Sequence, residues 1–203
     1  MWHWRDDYFK TLKELSATAA KVPEWADYAT FCSQYEHGLR TQAFGILETF
    51  ISKLERLSFS DRRRFVSWLL AATDGAPGQH MAVPHPLKIR IVEPTLVEWT
   101  AVEPHCSEPH RWLGGYEHLR CAVETDPTDE VARRKLIGLI LGNVDYSTHE
   151  LPRGYMGEPN HDLASLREAE ELIRGLTTEE NRKEFTKDVE VQRLLIEGYL
   201  KER

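Results

Sequence analysis

Eighteen residues between Asp145 and Asp162 hold Asp145, His149, Glu150, Arg153, Tyr155, Glu158, His161 and Asp162. An imidazole can serve as a general base when a carboxylate within hydrogen-bond reach orients it. His149 and Glu150 are therefore the candidate catalytic pair, with Asp145 as a second orienting acid. A guanidinium and a phenol can grip a carboxylate or phosphate, so Arg153 and Tyr155, together with His161 and Asp162, are the candidate ligand-binding residues. No Ser or Cys stands in a nucleophile elbow. A polar stretch of this length between helices either binds, gates or catalyses, or is a fixed connector held by its own hydrogen bonds.

A second cluster, Cys106, His110, His118 and Cys121, offers two thiols and two imidazoles, the donors that tetrahedral zinc prefers. His118 and Cys121 are three residues apart and face one side of a predicted helix. No cofactor is expected for an interaction protein; zinc or another divalent metal is the alternative. His149-Glu150 begins like the helix of a zinc protease, but Pro152 interrupts it and Arg153 stands where the second histidine belongs. His161-Asp162 resembles the paired ligands of the all-helical HD phosphohydrolases, and that resemblance implies a metal site completed by an acid such as Asp188 and a histidine such as His118.

The elements that must position these residues read as helices. Trp4, Tyr8, Leu12, Leu15 and Ala19 form one stripe, and Pro23 suits the first position of the next helix. A helical period runs from Trp25 to Leu54 with an expected break near His37-Gly38. Ser60 and Asp61 are expected to cap a helix carrying Phe65, Trp68 and Leu69, ended by Gly75. Leu87 to Ile91 alternates like a strand but has no partner strand, which leaves an extended connector or short helix. A helix is expected from Pro94 toward Glu103 with Leu96, Trp99 and Val102 on one face. Another carries Trp112, Tyr116, Leu119 and Val123, and a third, capped by Thr128 or Asp129, carries Leu136, Leu139 and Ile140. Asp162 is expected as an N-cap, Thr177 with Glu180 as a capping box, and Phe185, Val189, Leu194, Leu195 and Tyr199 as the last apolar stripe. The fold class is all-α: an irregular helical bundle or helical-hairpin array with a proline-rich connector. One domain is expected over 1–203, with an N-terminal lobe at 1–75, a connector at 76–93 and a C-terminal lobe at 94–203.

From Leu96 to Asp129 the positions of Trp99, Leu119, Ala122 and Pro127 match the 34-residue tetratricopeptide repeat, so the stretch resembles a single degenerate unit. Glu103 and Gly115 depart from its small-residue positions, and Pro104 and Pro109 fall where its first helix should continue. The resemblance implies helical-hairpin packing and a partner-binding surface.

Composition narrows the function classes. The chain has 203 residues, 41% of them hydrophobic, a net charge of -7 and a mean hydropathy of -0.51, which describes a folding, soluble protein. The acidic excess makes nucleic acid an unfavourable partner, and Arg62, Arg63 and Arg64 read as a solvated helix face. No apolar run approaches a membrane span of ~20 residues. The aromatic and acidic start is no export signal, and three cysteines leave an odd thiol, so a reducing, cytoplasmic location is expected. The function expected is a non-enzymatic helical interaction or regulatory protein that presents Pro77 to His161 to a protein partner. An antidote of the immunity type, acidic and suited to a basic toxin, is its specific form. The alternative is a small hydrolase, metal-dependent or not, built on the Asp145 to Asp162 stretch.

Overall fold

A computed structural model describes residues 6–201, with side chains from residue 9 onward. Trp2, Trp4 and the side chain of Tyr8 lie outside the described residues. The described residues contain helices and no strand, as the all-α reading expects. The chain forms two compact units, Met1–Val102 and Glu103–Arg203. The division falls after the stretch expected as connector, and it lies inside the repeat-like segment 96–129.

The first unit comprises α1 (Asp6–Ala19), a 3-10 turn (Pro23–Trp25), α2 (Ala26–Glu36), α3 (Arg40–Leu54), α4 (Phe59–Thr73), α5 (Gln79–Ala82), α6 (His85–Leu87), a π-helical turn (Lys88–Val92) and α7 (Glu93–Val102). Gly38, at φ 77°, lets the chain turn between α2 and α3, a conformation that L side chains rarely adopt. The N-cap of α4 is Ser58 rather than Ser60: its hydroxyl accepts from the Asp61 amide and donates to the Asp61 carboxylate. This places Asp61 at the third position of the helix, where an acid completes the box. Tyr28, Phe31, Phe50, Phe65 and Trp25 pack edge to face or tilted at the centre. Burial pushes the Cys32 thiol up to about 12, so it is a packing group rather than a nucleophile.

The stretch 76–93 is not an extended connector. Met81, Ala82, Leu87, Ile91 and Val92 are buried in the first unit, and the Tyr28 hydroxyl donates to the Ala82 carbonyl at 2.8 Å. Leu87 and Ile91 are four apart and share an inward face in the π-turn, which a strand's alternation would also place on one side. Val102 is exposed, while Leu96 and Trp99 are buried. Of the three arginines of α4, Arg62 pairs with Glu98 and Arg63 lies over Trp99, while Arg64 is exposed as expected and reaches Glu24 at the surface.

The second unit comprises α8 (Ser107–Leu113), α9 (Tyr116–Thr125), α10 (Glu130–Thr148), α11 (Pro159–Arg174) and α12 (Glu179–Lys201). Gly114 and Gly115, both at positive φ, split the helix expected through Trp112 and Tyr116 into α8 and α9. The core gathers Leu119 of α9, Leu136, Ile137, Ile140 and Val144 of α10, Leu166, Ala169 and Ile173 of α11, and Val189 and Ile196 of α12. Asp129 caps α10 through the Ala132 amide and takes two bonds from Arg111 Nη1, at 3.0 and 2.9 Å. The Thr177 and Thr178 side of the α11–α12 turn binds Glu130 instead of forming the expected capping box. That bonding holds the Glu130 carboxyl down at about 2.

Because Asp129 is buried and its removal uncaps α10 and leaves Arg111 only its longer contact with Glu108 at 3.6 Å, Asp129→Ala should destabilise the second unit by about 2 kcal/mol. Amide exchange along α10 in the full chain checks this. A loss of protection below about 1 kcal/mol, the worth of a cap alone, would contradict it.

Candidate functional site

The polar stretch is shorter than the sequence indicates. α10 runs through Thr148 and α11 starts at Pro159, so the connection is 149–158. It is pinned at several points. The Leu151 amide donates to the Thr148 carbonyl, the Gly154 amide to the Glu150 carbonyl, and the Met156 amide to the Ser147 carbonyl. Gly157 lies so close to α10 that a methyl group there would meet Ser147 Oγ at 2.5 Å and Asp162 Oδ2 at 3.0 Å. Only glycine fits this approach without displacing the serine.

Tyr155 and Asp162 are brought together and bond to each other. The Tyr155 hydroxyl donates to Asp162 Oδ2 at 2.7 Å, and its ring stacks on Tyr199 at 5.2 Å between centroids. Burial, then the bond to Asp162, raises the phenol above its ordinary range. Asp162 is buried in the first turn of α11, whose N-cap position is Glu158, so the expected capping role of Asp162 is replaced by this contact. Arg153 and His161 are exposed and join neither partner.

His149 and Glu150 do meet, with Nε2 and Oε1 3.3 Å apart. The other ring nitrogen, Nδ1, contacts the Tyr146 carbonyl. The contact at Nδ1 needs the ring to donate there, and both side chains of the pair lie at the surface, at the C-terminal end of α10.

The cysteine and histidine cluster is divided. His110 on α8 and His118 on α9 approach with Nδ1 atoms 3.0 Å apart, while Cys121 lies beside Thr125 at 3.9 Å and Cys106 precedes α8. Among the described residues no group of three or more His, Cys, Asp or Glu side chains is placed to hold a metal ion. Cys106, His110, His118 and Cys121 therefore do not converge as a ligand set, and neither do His118, His161, Asp162 and Asp188. The bond between His110 and His118 needs one ring to donate and the other to accept. Partial burial, then the charge of His118, lowers the His110 pKa, partly offset by the Pro104 carbonyl.

A candidate surface missed in the sequence lies along α12. Val189 and Ile196 point inward, whereas Val191, Leu194 and Leu195 are on the solvent side, Leu194 at 69% exposure. Two grooves follow one another beside this helix. One, of about 350 Å³, is lined by Leu141, Gly142, Asp145, Asp188, Val191 and Gln192. The other, of about 260 Å³, is lined by Leu151, Pro152, Leu194, Leu195, Gly198 and Tyr199. Neither takes in His149, Glu150, His161 or Asp162. Gln192 braces the first groove by donating to Asp145 Oδ1 at 3.0 Å and accepting from the Thr148 hydroxyl at 2.8 Å. The signal available in the sequence was the spacing Val191, Leu194, Leu195, Gly198, a second apolar stripe on a helix already supplied with one. Among the described residues no helix is long and apolar enough to cross a membrane.

Comparison with protein-family models, with curated proteins and with solved structures returns no match.

Two outcomes follow from this geometry. Tyr155→Phe strands the buried Asp162 oxygen and should cost about 2 kcal/mol in urea denaturation; a cost under about 0.5 kcal/mol would show that Tyr155 is not the anchor of the connection. His110 has a lowered pKa in the fold, so the unfolded chain binds its proton first as pH falls. Its stabilising contribution is complete above the ordinary value of 6.5 and is lost as pH drops through the lowered value. The denaturation midpoint should decline over that window in the native chain and decline less in His110→Gln, and equal declines would contradict the assignment.

Proposed function

We propose that this chain is a non-enzymatic, cytoplasmic helical protein-interaction protein, regulatory in role, whose docking face is the outer side of α12 with its flanking grooves. The observation that carries this reading is the exposed apolar stripe of α12. A helix with one buried stripe needs no second one for folding, and contiguous apolar surface rimmed by polar groups marks protein contact sites. The spacing of Val191, Leu194, Leu195 and Gly198, at i, i+3, i+4 and i+7, matches the face one helix offers another. The region expected to meet the partner, Pro77 to His161, narrows on this reading. Its first part is packed into the core of the first unit, and its last part, Leu141 to Pro152, lines the grooves.

The hydrolase alternative rests on the contact between His149 and Glu150, a pair that lies at the surface and lines neither groove. Asp162 is engaged by Tyr155 and is not free to orient His161 or hold a substrate.

A photo-crosslinking amino acid at position 194, irradiated in cells expressing the full chain, should give a discrete covalent protein adduct. The same group at exposed Thr186, on the same helix, should give none. No adduct from position 194, or equal adducts from both positions, would overturn the reading.

A further inference from the structure

The charges around the grooves specify what the docking face would accept, given the interaction reading on which this step rests. Twelve acidic side chains balance twelve basic ones in Met1–Val102, whereas Glu103–Arg203 carries twenty-one acidic against fourteen basic. The whole net charge of -7 therefore belongs to the second unit. The charged residues lining the groove between α10 and α12 are Asp145 and Asp188, both acids. Asp145 is bound by the neutral Gln192 amide, and Asp188 has no ion-pair partner among the described residues. Two exposed carboxylates lining one groove repel each other, and a cation from outside relieves that repulsion.

The shape specifies a helix. Asp188, Val191, Gln192, Leu195, Gly198 and Tyr199 form one stripe of α12 that borders both grooves in turn. At 1.5 Å per residue the stripe is roughly 16 Å long, the length of three turns. Gly142 on α10 and Gly198 on α12 have nothing within 4 Å of the place a side chain would occupy, so each leaves a notch into which an apolar side chain can sit. A second copy of this chain is disfavoured because it would bring two strongly acidic units together.

We propose that the α10–α12 groove binds a basic amphipathic helix of a partner protein. Its apolar stripe lies on Leu141, Val191, Leu195 and Pro152, and its Lys or Arg side chains meet Asp145 and Asp188. The occupant is recognised by two features together, an apolar stripe at helical spacing and flanking cations, so an acidic helix of the same apolar face is rejected.

The probe is a labelled helical peptide of about 18 residues made of Leu, Ala and Lys, with Leu on one stripe, and a counterpart with Glu in place of Lys. Anisotropy titrations use the full chain. The Lys peptide should bind and the Glu peptide should not. Asp145→Asn with Asp188→Asn should weaken the Lys peptide by roughly tenfold or more, and added salt should weaken it in the native chain more than in that variant. Leu195→Asp, at a half-exposed position, should weaken it at least as much with an unchanged far-UV spectrum. Glu117→Gln with Glu180→Gln removes the same charge elsewhere on the unit and should stay within about twofold of the native chain. Equal losses in the two charge variants, or binding of both peptides alike, would overturn the proposal. If the Lys peptide fails while position 194 still captures a protein, this proposal falls and the interaction reading stands; if position 194 captures nothing, both fall.

Discussion

A carboxylate that is almost out of water survives as an ion only if its oxygens are met by donors or cations, and Asp129 meets that condition with groups from two helices of the second unit. Its Oδ1 takes the Ala132 amide at the start of α10, and both oxygens take Arg111 from α8. One side chain thus sets where α10 begins and what packs beside its first turn. From that start the helix continues through Thr148, placing Leu136, Ile137, Ile140 and Val144 inward. Leu141, Gly142 and Asp145 are placed along the groove beside α12. The far end of α10 then determines where Ser147 can receive the Met156 amide and crowd Gly157. Groove and connection both depend on the register of this helix.

That dependence explains how the polar connection and the docking face divide their roles. The connection spends its polar groups on itself: Tyr155 on Asp162, Glu150 on His149, and backbone amides on α10. It presents Leu151 and Pro152 to the groove beside Tyr199, which its own Tyr155 steadies by stacking. The chemistry-bearing residue types mark a place where α10 is joined to α11, and this join lines one of the grooves beside α12.

Helix identity was legible because the apolar spacing of 3.6 survives in the long elements; the break at Gly38 was placed by local chemistry, and the α10 cap was narrowed to Thr128 or Asp129, of which Asp129 is the one that caps. Other features depend on tertiary partners. Leu87 and Ile91 fit a strand or a π-turn equally well by spacing; packing against α3 and α4 selects the turn. Leu194 and Leu195 continue the period of Phe185 and Val189 closely enough to pass for core, yet Ile196 is the residue that turns inward. A helix with apolar residues on two sides does not reveal in sequence which side faces the core. The candidate residues at 149–162 were recognised by type, but the contacts made by His149, by Tyr155 and by the backbone of the connection depend on Tyr146, Tyr199 and Ser147, which no motif names.

The most direct test of where function resides is a saturation scan of residues 141–199, scoring each variant for folded abundance and for the yield of adduct captured from position 194. The account predicts that substitutions at Asp145, Val191, Leu195 and Gly198 reduce capture at native abundance, while those at His149, Glu150, Arg153 and His161 leave both scores unchanged. Loss of capture at native abundance from His149, Glu150 and His161, with tolerance along α12, would contradict it.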